Sequence, residues 1–217
     1  MDEESLSQAR HRMVTEHLRG RGISDLRVLA AFENVPRHRF VPPELRASAY
    51  DDAPLPIGYE QTISQPYIVA LMSELMRLTG TERVLEVGTG SGYQAAILAQ
   101  LAAEVHTVEL LPALAERARQ TLEDLGIQNV YVHCADGSLG WPVAAPYQGI
   151  LVAAAAPAVP PPLLEQLDDG GRLVIPVGMS TRGSQQLEVW LKQGSHLERA
   201  NILPVAFVLL RGKHGWK

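Results

Sequence analysis

The segment LEVGTGSGYQAAILA, residues 85–99, decides the fold class. It runs from an apolar strand into three closely spaced glycines, Gly88, Gly90 and Gly92, and then into a helical stretch. Glycine accepts backbone conformations that turn a strand sharply into a helix, and it lets a ligand approach the main chain. A strand, a glycine loop and a helix in this order are typical of a nucleotide-binding βαβ unit.

Around this segment, short apolar runs alternate with helical stretches. The runs are RVLEV (83–87), EVHTVE (104–109), VYVHC (130–134), GILVAA (149–154) and RLVIPV (172–177). Buried strands separated by helices predict right-handed βαβ units and a parallel sheet covered on both faces. After Gly178, alternating residues, a Gly194-Ser195 turn and an apolar stretch at 202–210 predict an added antiparallel hairpin.

The region before the glycine loop predicts short helices and one long connection. Ser24 can cap the second helix. Residues 51–66, DDAPLPIGYEQTISQP, are rich in proline, glycine and polar residues and have no sustained period. Connections of this length are usually functional or disordered. The apolar residues Ile57 and Ile63 favour an ordered loop.

The expected architecture is α/β: a doubly wound, mostly parallel Rossmann-like sheet with extra N-terminal helices and a C-terminal antiparallel hairpin. A chain of 217 residues predicts a single domain, 1–217. Its expected parts are N-terminal helices and a substrate loop (1–66), a cofactor-binding core (67–178) and a C-terminal hairpin region (179–217).

Composition excludes several protein classes. Hydrophobic residues make up 46% and charged residues 20%, which excludes a disordered chain, a collagen or a coiled coil. The net charge of −5 predicts no general affinity for nucleic acid or anionic membranes, because phosphate groups would repel the molecule. The single cysteine, Cys134, excludes an intrachain disulfide and a cysteine-built zinc site, and we expect no metal.

The sequence predicts neither a secretory signal nor a membrane-spanning segment. The acidic, polar segment MDEESLSQARHR lacks the apolar region of a secretory signal, and the apolar run 150–156 is too short to cross a bilayer. These features predict a soluble, cytoplasmic protein.

Three acidic residues stand near the carboxyl ends of successive predicted strands and indicate the cofactor. A carboxylate at Glu86 would repel a pyrophosphate and suits a cofactor that carries an ammonium group and a sulfonium. Glu109 stands where a carboxylate can accept both ribose hydroxyls. Asp136, beside Gly137, could accept from an adenine amino group. Singly, each acid could equally be a solvated or capping residue; together they favour S-adenosylmethionine over NAD.

On these residues the sequence resembles the class I S-adenosylmethionine-dependent methyltransferases. The upstream block PLPIGYEQTISQPYIVALM (54–72) looks like the signature of the protein-L-isoaspartate O-methyltransferases, which methylate damaged aspartyl residues. Three later blocks look like that family too: DGSLGW (136–141), AAAAPAVPPPLLEQL (153–167) and GGRLVIPVG (170–178). The resemblance covers nearly the whole chain. The glycine loop indicates only the superfamily, whereas QTISQP is specific to the family.

The resemblance implies the activity. A methyl group would pass from S-adenosylmethionine to the α-carboxylate of L-isoaspartyl residues in damaged proteins and peptides, leading through a succinimide towards normal aspartate. Such a carboxylate is ionised at neutral pH, so it needs no general base. Isoaspartyl proteins and peptides are thus the expected partners, with no nucleic acid and no membrane, and we favour a monomer.

The resemblance also implies the site. Ser64 is the implied active-site residue, which we expect to orient the carboxylate by a hydrogen bond. Ser64 also stands near the start of the helix at 66–78, where a serine is a good cap, so a purely structural role stays open. The implied cofactor-binding residues are Gln61, Thr62, Ile63, Glu86, Gly88, Gly90, Gly92, Glu109, Asp136 and Gly137.

Two departures from the family pattern leave alternatives open. Gln148 stands where relatives usually have an aspartate, and residues 208–211 differ enough that we carry no cofactor contact onto them. A methyltransferase for a small-molecule acid or phenol is one alternative. A non-catalytic S-adenosylmethionine-binding module is another, and a dehydrogenase is a third, which Glu86 disfavours.

Overall fold

The protein is described by a computed structural model covering residues 2–179 and 185–217. Within these residues, a two-stranded hairpin consists of β1 (Leu55–Gly58) and β2 (Gln61–Ile63). The central sheet contains β3 (Arg83–Val87), β4 (Glu104–Glu109), β5 (Val130–Cys134), β6 (Tyr147–Val152), β7 (Leu167–Gly178), β8 (Gln185–Gln193) and β9 (His196–Val205). The expected ordered loop at 51–66 therefore contains a hairpin that the sequence did not predict.

The strand order of the central sheet is β5-β4-β3-β6-β7-β8-β9. Strands β3 to β7 pair in parallel, whereas β7, β8 and β9 pair antiparallel. This confirms the doubly wound, mostly parallel sheet with a C-terminal hairpin. The winding direction reverses beside β3, which lies between β4 and β6, and in such sheets the crevice at this reversal is where ligands bind.

Helices cover both faces of the sheet. They are α1 (Glu3–Arg12), α2 (Leu26–Asn34), α3 (Pro66–Leu75), α4 (Tyr93–Ala99), α5 (Pro112–Asp124) and α6 (Pro161–Gln166). A π-helical turn (Met13–Leu18) extends α1, and 3₁₀ turns occupy Arg19–Arg21, Arg37–Phe40, Pro43–Ser48, Gly137–Leu139 and Pro142–Ala144. None of the helices in the described ranges is both long and apolar enough to cross a membrane.

Alternation along β3 explains why two hydrophobic clusters form. Val84 belongs to the larger cluster, which includes the N-terminal helices through residues such as Leu18 and Phe32. Its neighbour Leu85 points to the opposite face and belongs to a second cluster with Leu163 of α6. Successive side chains of a strand face opposite sides, so an apolar strand joins both clusters and is buried on both faces.

Two local predictions need correction. The cap of α2 is Asp25, whose carboxylate accepts from the backbone N–H groups of Arg27 and Val28; the N–H of Ser24 instead donates to Glu74. The last strand was expected at 202–210 but spans His196–Val205. The two-residue turn leads directly into this strand. The apolar residues beyond Val205 leave the sheet, and Phe207 packs against the larger hydrophobic cluster while Leu210 belongs to the second.

Candidate active site

The glycine loop leaves the carboxyl end of β3 in a conformation that requires glycine. Gly88 has φ 94° and Gly90 has φ 54°, both in the left-handed region. The N–H of Gly88 donates to the Val108 carbonyl at 2.8 Å, which ties the loop to β4. The N–H of Gly90 donates to Glu109 Oε2, also at 2.8 Å. The loop is therefore fixed against the end of the neighbouring strand.

A cavity of about 410 Å³ opens above this loop. Its walls come from the glycine loop, the end of β4, the hairpin β1–β2 and the C-terminal segment. Eight of the residues predicted from the sequence line it: Gln61, Thr62, Ile63, Ser64, Gly88, Gly90, Glu109 and Gly137. Three predicted residues, Glu86, Gly92 and Asp136, do not line it.

Glu109 lies at the cavity wall with both carboxylate oxygens engaged by backbone donors. Its Oε2 accepts from Gly90, and its Oε1 accepts from the N–H of Leu111 at 3.0 Å. The side chain is largely buried. Each oxygen still has a further lone pair, so this carboxylate can accept from hydroxyl groups of a ligand in the cavity.

Glu86 lies buried beneath the loop, whereas the sequence predicts its carboxylate at the mouth of the site. It has no solvent exposure, because β3 is covered on both faces. Its Oε2 accepts from the Thr107 hydroxyl at 2.5 Å, and the Thr107 and Thr89 hydroxyls lie 2.7 Å apart. Burial raises the pKa of Glu86 to about 8, opposed by the Thr107 hydrogen bond. At neutral pH this carboxyl is mostly protonated, which removes the charge on which our argument against a pyrophosphate rested.

Asp136 holds the C-terminal segment. Its Oδ1 accepts from the N–H and hydroxyl of Ser138, and its Oδ2 accepts from the N–H of Lys213 at 2.7 Å. Asp136 does not line the cavity, so its contact with an adenine amino group stays a prediction. Its neighbour Gly137 does line the cavity, and a Cβ there would lie 2.6 Å from Val87 Cγ1, so only glycine fits without displacing the strand.

Gly92 supports the loop from behind. It caps α4 with φ 89° in the left-handed region. A Cβ at this position would lie 3.3 Å from that of Ala118 on α5. The third glycine therefore serves the turn and close helix packing and makes no contact with the cavity.

The C-terminal segment at 207–211 lines the cavity, although the sequence gave us no reason to place it there. Ala155 holds this segment by two backbone hydrogen bonds: its N–H donates to the Val208 carbonyl, and its carbonyl accepts from Leu210. We had interpreted these apolar residues as the end of a strand. No local pattern distinguishes an apolar segment that closes a cavity from one that continues a sheet.

Ser64 lies where this cavity meets a second one. The second cavity has a volume of about 560 Å³ and is lined by Arg21, Tyr67 and residues 203–208, among others. Ser64 and four other residues line both cavities: Thr62, Ala153, Phe207 and Val208. The cap of α3 is Gln65, without a side-chain hydrogen bond. The Ser64 hydroxyl bonds to no other described residue, so the capping alternative is not realised.

Comparison with known proteins identifies the family. The model of the Protein-L-isoaspartate(D-aspartate) O-methyltransferase family matches residues 9–215. The chain belongs to this family. It is 56% identical to Protein-L-isoaspartate O-methyltransferase 2 of Marinobacter nauticus, over 99% of this chain and 98% of the relative. It is also 56% identical to Protein-L-isoaspartate O-methyltransferase of Methanoregula boonei, over 97% and 96%.

Solved structures agree with this assignment. One, titled protein-L-isoaspartate O-methyltransferase, superposes with a TM-score of 0.85 at 32% identity and covers 95% of this chain and 67% of its own. A second, from Plasmodium falciparum and described as a putative member in complex with S-adenosyl-L-homocysteine, has a TM-score of 0.79 at 24% identity over 93% and 98%. The second shows only that the fold is shared.

Gln148, the departure from the usual protein-L-isoaspartate O-methyltransferase pattern, lies away from both cavities. It stands near the amino end of β6, whereas the site lies at the carboxyl ends. Its Oε1 accepts from the N–H of Arg83 at 2.9 Å, and its Nε2 donates to Asp168 Oδ2 at 2.8 Å. The residue joins neighbouring strands, so its identity gives no argument for a non-catalytic protein.

Proposed function

We propose that this chain transfers a methyl group from S-adenosylmethionine to the α-carboxylate of L-isoaspartyl residues in damaged proteins and peptides. The ester would then lead through a succinimide towards normal aspartate. The observation that carries the proposal is the meeting of two cavities at Ser64. One is enclosed by the glycine loop and suits a nucleoside-type donor; the other suits a peptide.

The donor cavity fits S-adenosylmethionine. Its volume lies within the roughly 300–1,000 Å³ common for small-molecule sites. Glu109 offers lone pairs to ribose hydroxyls, and the glycines at 88, 90 and 137 leave the main chain open to close approach. When bound, this donor supplies a methyl group activated by the positive charge on its sulfur, which an ionised carboxylate can accept without a general base.

The chain's own contribution is to orient the acceptor. Ser64 has a hydroxyl without a partner in the described structure, and it stands at the junction of the two cavities. It can donate to one carboxylate oxygen and so direct the other oxygen towards the donor. The shared wall also contains Ala153, Phe207 and Val208, which are apolar and exclude water. Holding two reactants in the reactive orientation can lower the activation barrier by about 7–11 kcal/mol.

The second cavity suits a peptide. It lies between the C-terminal end of β9 and the N-terminal region, and most of its lining is apolar or neutral. Arg21 is its one charged lining residue among those described; its guanidinium lies 3.6 Å over the Tyr67 ring and 2.5 Å from Asp52 Oδ2. An extended chain in this groove would bring one side-chain position to Ser64. An isoaspartyl residue and an aspartyl residue would present their carboxylates there differently.

We also propose that the enzyme acts as a monomer in the cytoplasm and without nucleic acid. Both cavities are lined by residues of one chain, so no second copy is needed to complete the site. Cys134 is exposed and has no second cysteine in the chain, which is compatible with a reducing compartment. The net charge of −5 opposes binding to phosphate backbones.

A methyl-transfer assay tests the function. The protein is incubated with methyl-labelled S-adenosylmethionine and a pair of peptides that differ only in isoaspartate or aspartate at one position. We expect a base-labile methyl ester, released as volatile methanol, on the isoaspartyl peptide and little on its partner. Equal rates on both would leave a general carboxyl methyltransferase, and label on neither would overturn the proposal.

A further inference from the structure

Arg37 is a buried cation without an acidic partner. It lies in the 3₁₀ turn that follows α2 and has no solvent exposure. None of the described carboxylates lies within ion-pair distance of it. Burial lowers the pKa of Arg37 to about 10, which leaves it protonated at neutral pH. Burying a charge is costly unless its hydrogens are bound, so the contacts of this guanidinium need an explanation.

The contacts of Arg37 fasten the two ends of one segment. Its Nε donates to the Ala49 carbonyl at 2.8 Å, and its Nη2 donates to the Ser64 carbonyl at 2.7 Å. Ala49 and Ser64 bracket residues 50–63, which contain the hairpin β1–β2. The planar fork of an arginine can hold both carbonyls at fixed directions, which a lysine ammonium cannot do.

The connection at Ser64 is short, so the direction of one carbonyl matters. Only Ser64 and Gln65 lie between the end of β2 and the first residue of α3. Gln65 is held from the other side, since its Nε2 donates to Asp52 Oδ2 at 2.8 Å. The bond from Arg37 fixes the Ser64–Gln65 peptide plane, and Asp52 holds the Gln65 side chain. The backbone then fixes the Cα–Cβ direction of Ser64, which limits the positions that its hydroxyl can reach to a few rotamers.

Arg37 also links this connection to the donor cavity. Its guanidinium carbon lies 4.8 Å from the ring centroid of Tyr93. Tyr93 is the first residue of α4, directly after the glycine loop, and lines the donor cavity. One side chain thus contacts both the residue that faces the acceptor and the helix that begins at the donor loop.

Arg37 is poorly explained as a stabilising residue. Its Nη1 and the Tyr93 hydroxyl make no hydrogen bond of normal geometry in the described part of the chain, although the two side chains interact with each other. Unpaired buried donors are costly, and buried ionic groups are often replaced by apolar residues without loss of stability.

We propose that Arg37 is a positioning residue for methyl transfer, which holds the Ser64 backbone so that the Ser64 hydroxyl stands at the junction of the donor and peptide cavities. This inference rests on the proposed function. It assigns no contact with the substrate to Arg37 itself. The competing explanation is that Arg37 only fastens the hairpin and contributes to folding.

Arg27 provides a control for the loss of a carbonyl clamp, with the difference that its side chain is exposed whereas that of Arg37 is buried. It also donates to two backbone carbonyls, those of Leu78 at 2.7 Å and Leu101 at 3.0 Å, and so joins separate segments. Neither partner lines the donor or the peptide cavity. Arg27→Lys and Arg37→Lys therefore make the same chemical change in two carbonyl clamps, of which only one contacts Ser64.

The experiment compares both lysine variants, Ser64→Ala, and the double variant Ser64→Ala/Arg37→Lys with the wild type. Isoaspartyl-peptide methylation gives kcat and KM for each, and thermal unfolding of the same preparations gives stability. Rates are expressed per folded molecule. Arg37→Gln, which keeps an amide donor without the charge, replaces Arg37→Lys if the latter does not fold.

We expect Arg37→Lys to lower kcat by about tenfold or more, because slight misplacement of an orienting group can cost about a hundredfold. The affinity for the donor, measured by calorimetry, should change little. Arg27→Lys should lower only the melting temperature. In the Ser64→Ala background, Arg37→Lys should cost little further activity, because the group that it positions is gone.

Three outcomes would overturn the inference. A wild-type kcat in folded Arg37→Lys would show that no positioning occurs. Equal kcat losses in the Arg27 and Arg37 variants would show a general structural effect. Fully additive losses in the double variant would show that Arg37 does not act through Ser64. A wild-type protein that methylates no isoaspartyl peptide would instead overturn the proposed function, before any variant is compared.

Discussion

The donor cavity has two walls that are built in different ways. The sheet wall, residues 87–91 and 108–111, belongs to adjacent strands and their loops, and its parts hydrogen-bond to one another directly. The loop wall, residues 59–64 and 207–211, consists of two segments distant in sequence. These are held by residues from elsewhere in the chain. The Arg37 side chain holds Ser64, the Ala155 backbone holds Val208 and Leu210, and Asp136 holds Lys213 just beyond the wall.

We expect this difference to separate effects on donor binding from effects on methyl transfer. The sheet wall carries Glu109, Gly88 and Gly90, which we propose as the groups that hold a nucleoside-type donor. The loop wall carries Ser64 and faces both cavities, and we propose that it sets the position of the acceptor. We expect changes in the sheet wall to appear in donor affinity, and changes in the loop wall to appear in turnover.

The largest effect is expected at the loop wall. Ser64→Ala should lower kcat/KM by about a hundredfold, the cost that misplacement of a reacting group can have. Donor affinity and melting temperature should stay close to wild type, because the hydroxyl makes no hydrogen bond to a described residue. Kinetics and thermal unfolding on one preparation check both. Wild-type turnover combined with a lower melting point would mean that Ser64 is only structural.

At the sheet wall, Glu109→Ala should weaken the binding of S-adenosylmethionine. Hydrogen bonds to a charged group contribute about 1.5–3 kcal/mol each, so the loss of one should raise Kd by about tenfold to a hundredfold. Calorimetry measures the change, with Glu123→Ala, an exposed acid on α5, as the control. Unchanged affinity in a folded Glu109 variant would remove this residue from the donor site.

A smaller effect, on stability, is expected beneath the sheet wall. Because the pKa of Glu86 is raised from 4.5 to about 8, the folded state keeps a proton over this range that the unfolded state releases. Folding stability therefore falls as pH rises through this window, by at most ~1.4 kcal/mol per pH unit. Glu86→Gln should abolish this contribution, so the variant gains stability relative to wild type as the pH rises. Parallel pH dependences in denaturant unfolding would contradict the buried, protonated state.

The smallest effect on activity is expected outside both walls. Gln148→Ala should leave turnover per folded molecule unchanged, because this residue lies near the opposite end of β6. It should lower the free energy of unfolding by about 1–3 kcal/mol, through the loss of its two hydrogen bonds. Activity assays and denaturant unfolding check this. A large loss of kcat would show that the amino ends of the strands influence the site.

The sheet wall was largely predictable from sequence. The runs at 83–87, 104–109 and 130–134 coincide with β3, β4 and β5. β3 and β4 are buried along most of their length, as expected of inner strands of a parallel sheet, whereas β5 is an edge strand with partly exposed residues. The bounds of β6 and the start of β7 were less accurate: both strands begin before the apolar run, and β6 ends before its run does. Glu109 reached the cavity as expected because the end of a strand fixes its position in a doubly wound sheet.

For two other candidate residues, the contacts in the structure differ from the expected ones for physical reasons. Glu86 and Asp136 stand near strand ends, as expected, but side-chain direction and available partners decided their contacts: Thr107 beneath the loop for Glu86, and Ser138 and Lys213 for Asp136. An acid at a strand end can face a ligand or a backbone N–H group equally well. Its position along the chain does not distinguish the two.

By itself, the sequence determined the fold class, the glycine loop and the family, and it predicted a site role for residues 61–64. These follow from short-range patterns: apolar runs, closely spaced glycines, which allow a left-handed backbone, and the QTISQP block. Only the tertiary structure decided which segments close the cavity, that Ser64 stands between two cavities, and that Arg37 holds it there. These depend on contacts between residues far apart in the chain, such as Arg37 with Ser64 and Ala155 with Val208, and no local pattern encodes such contacts.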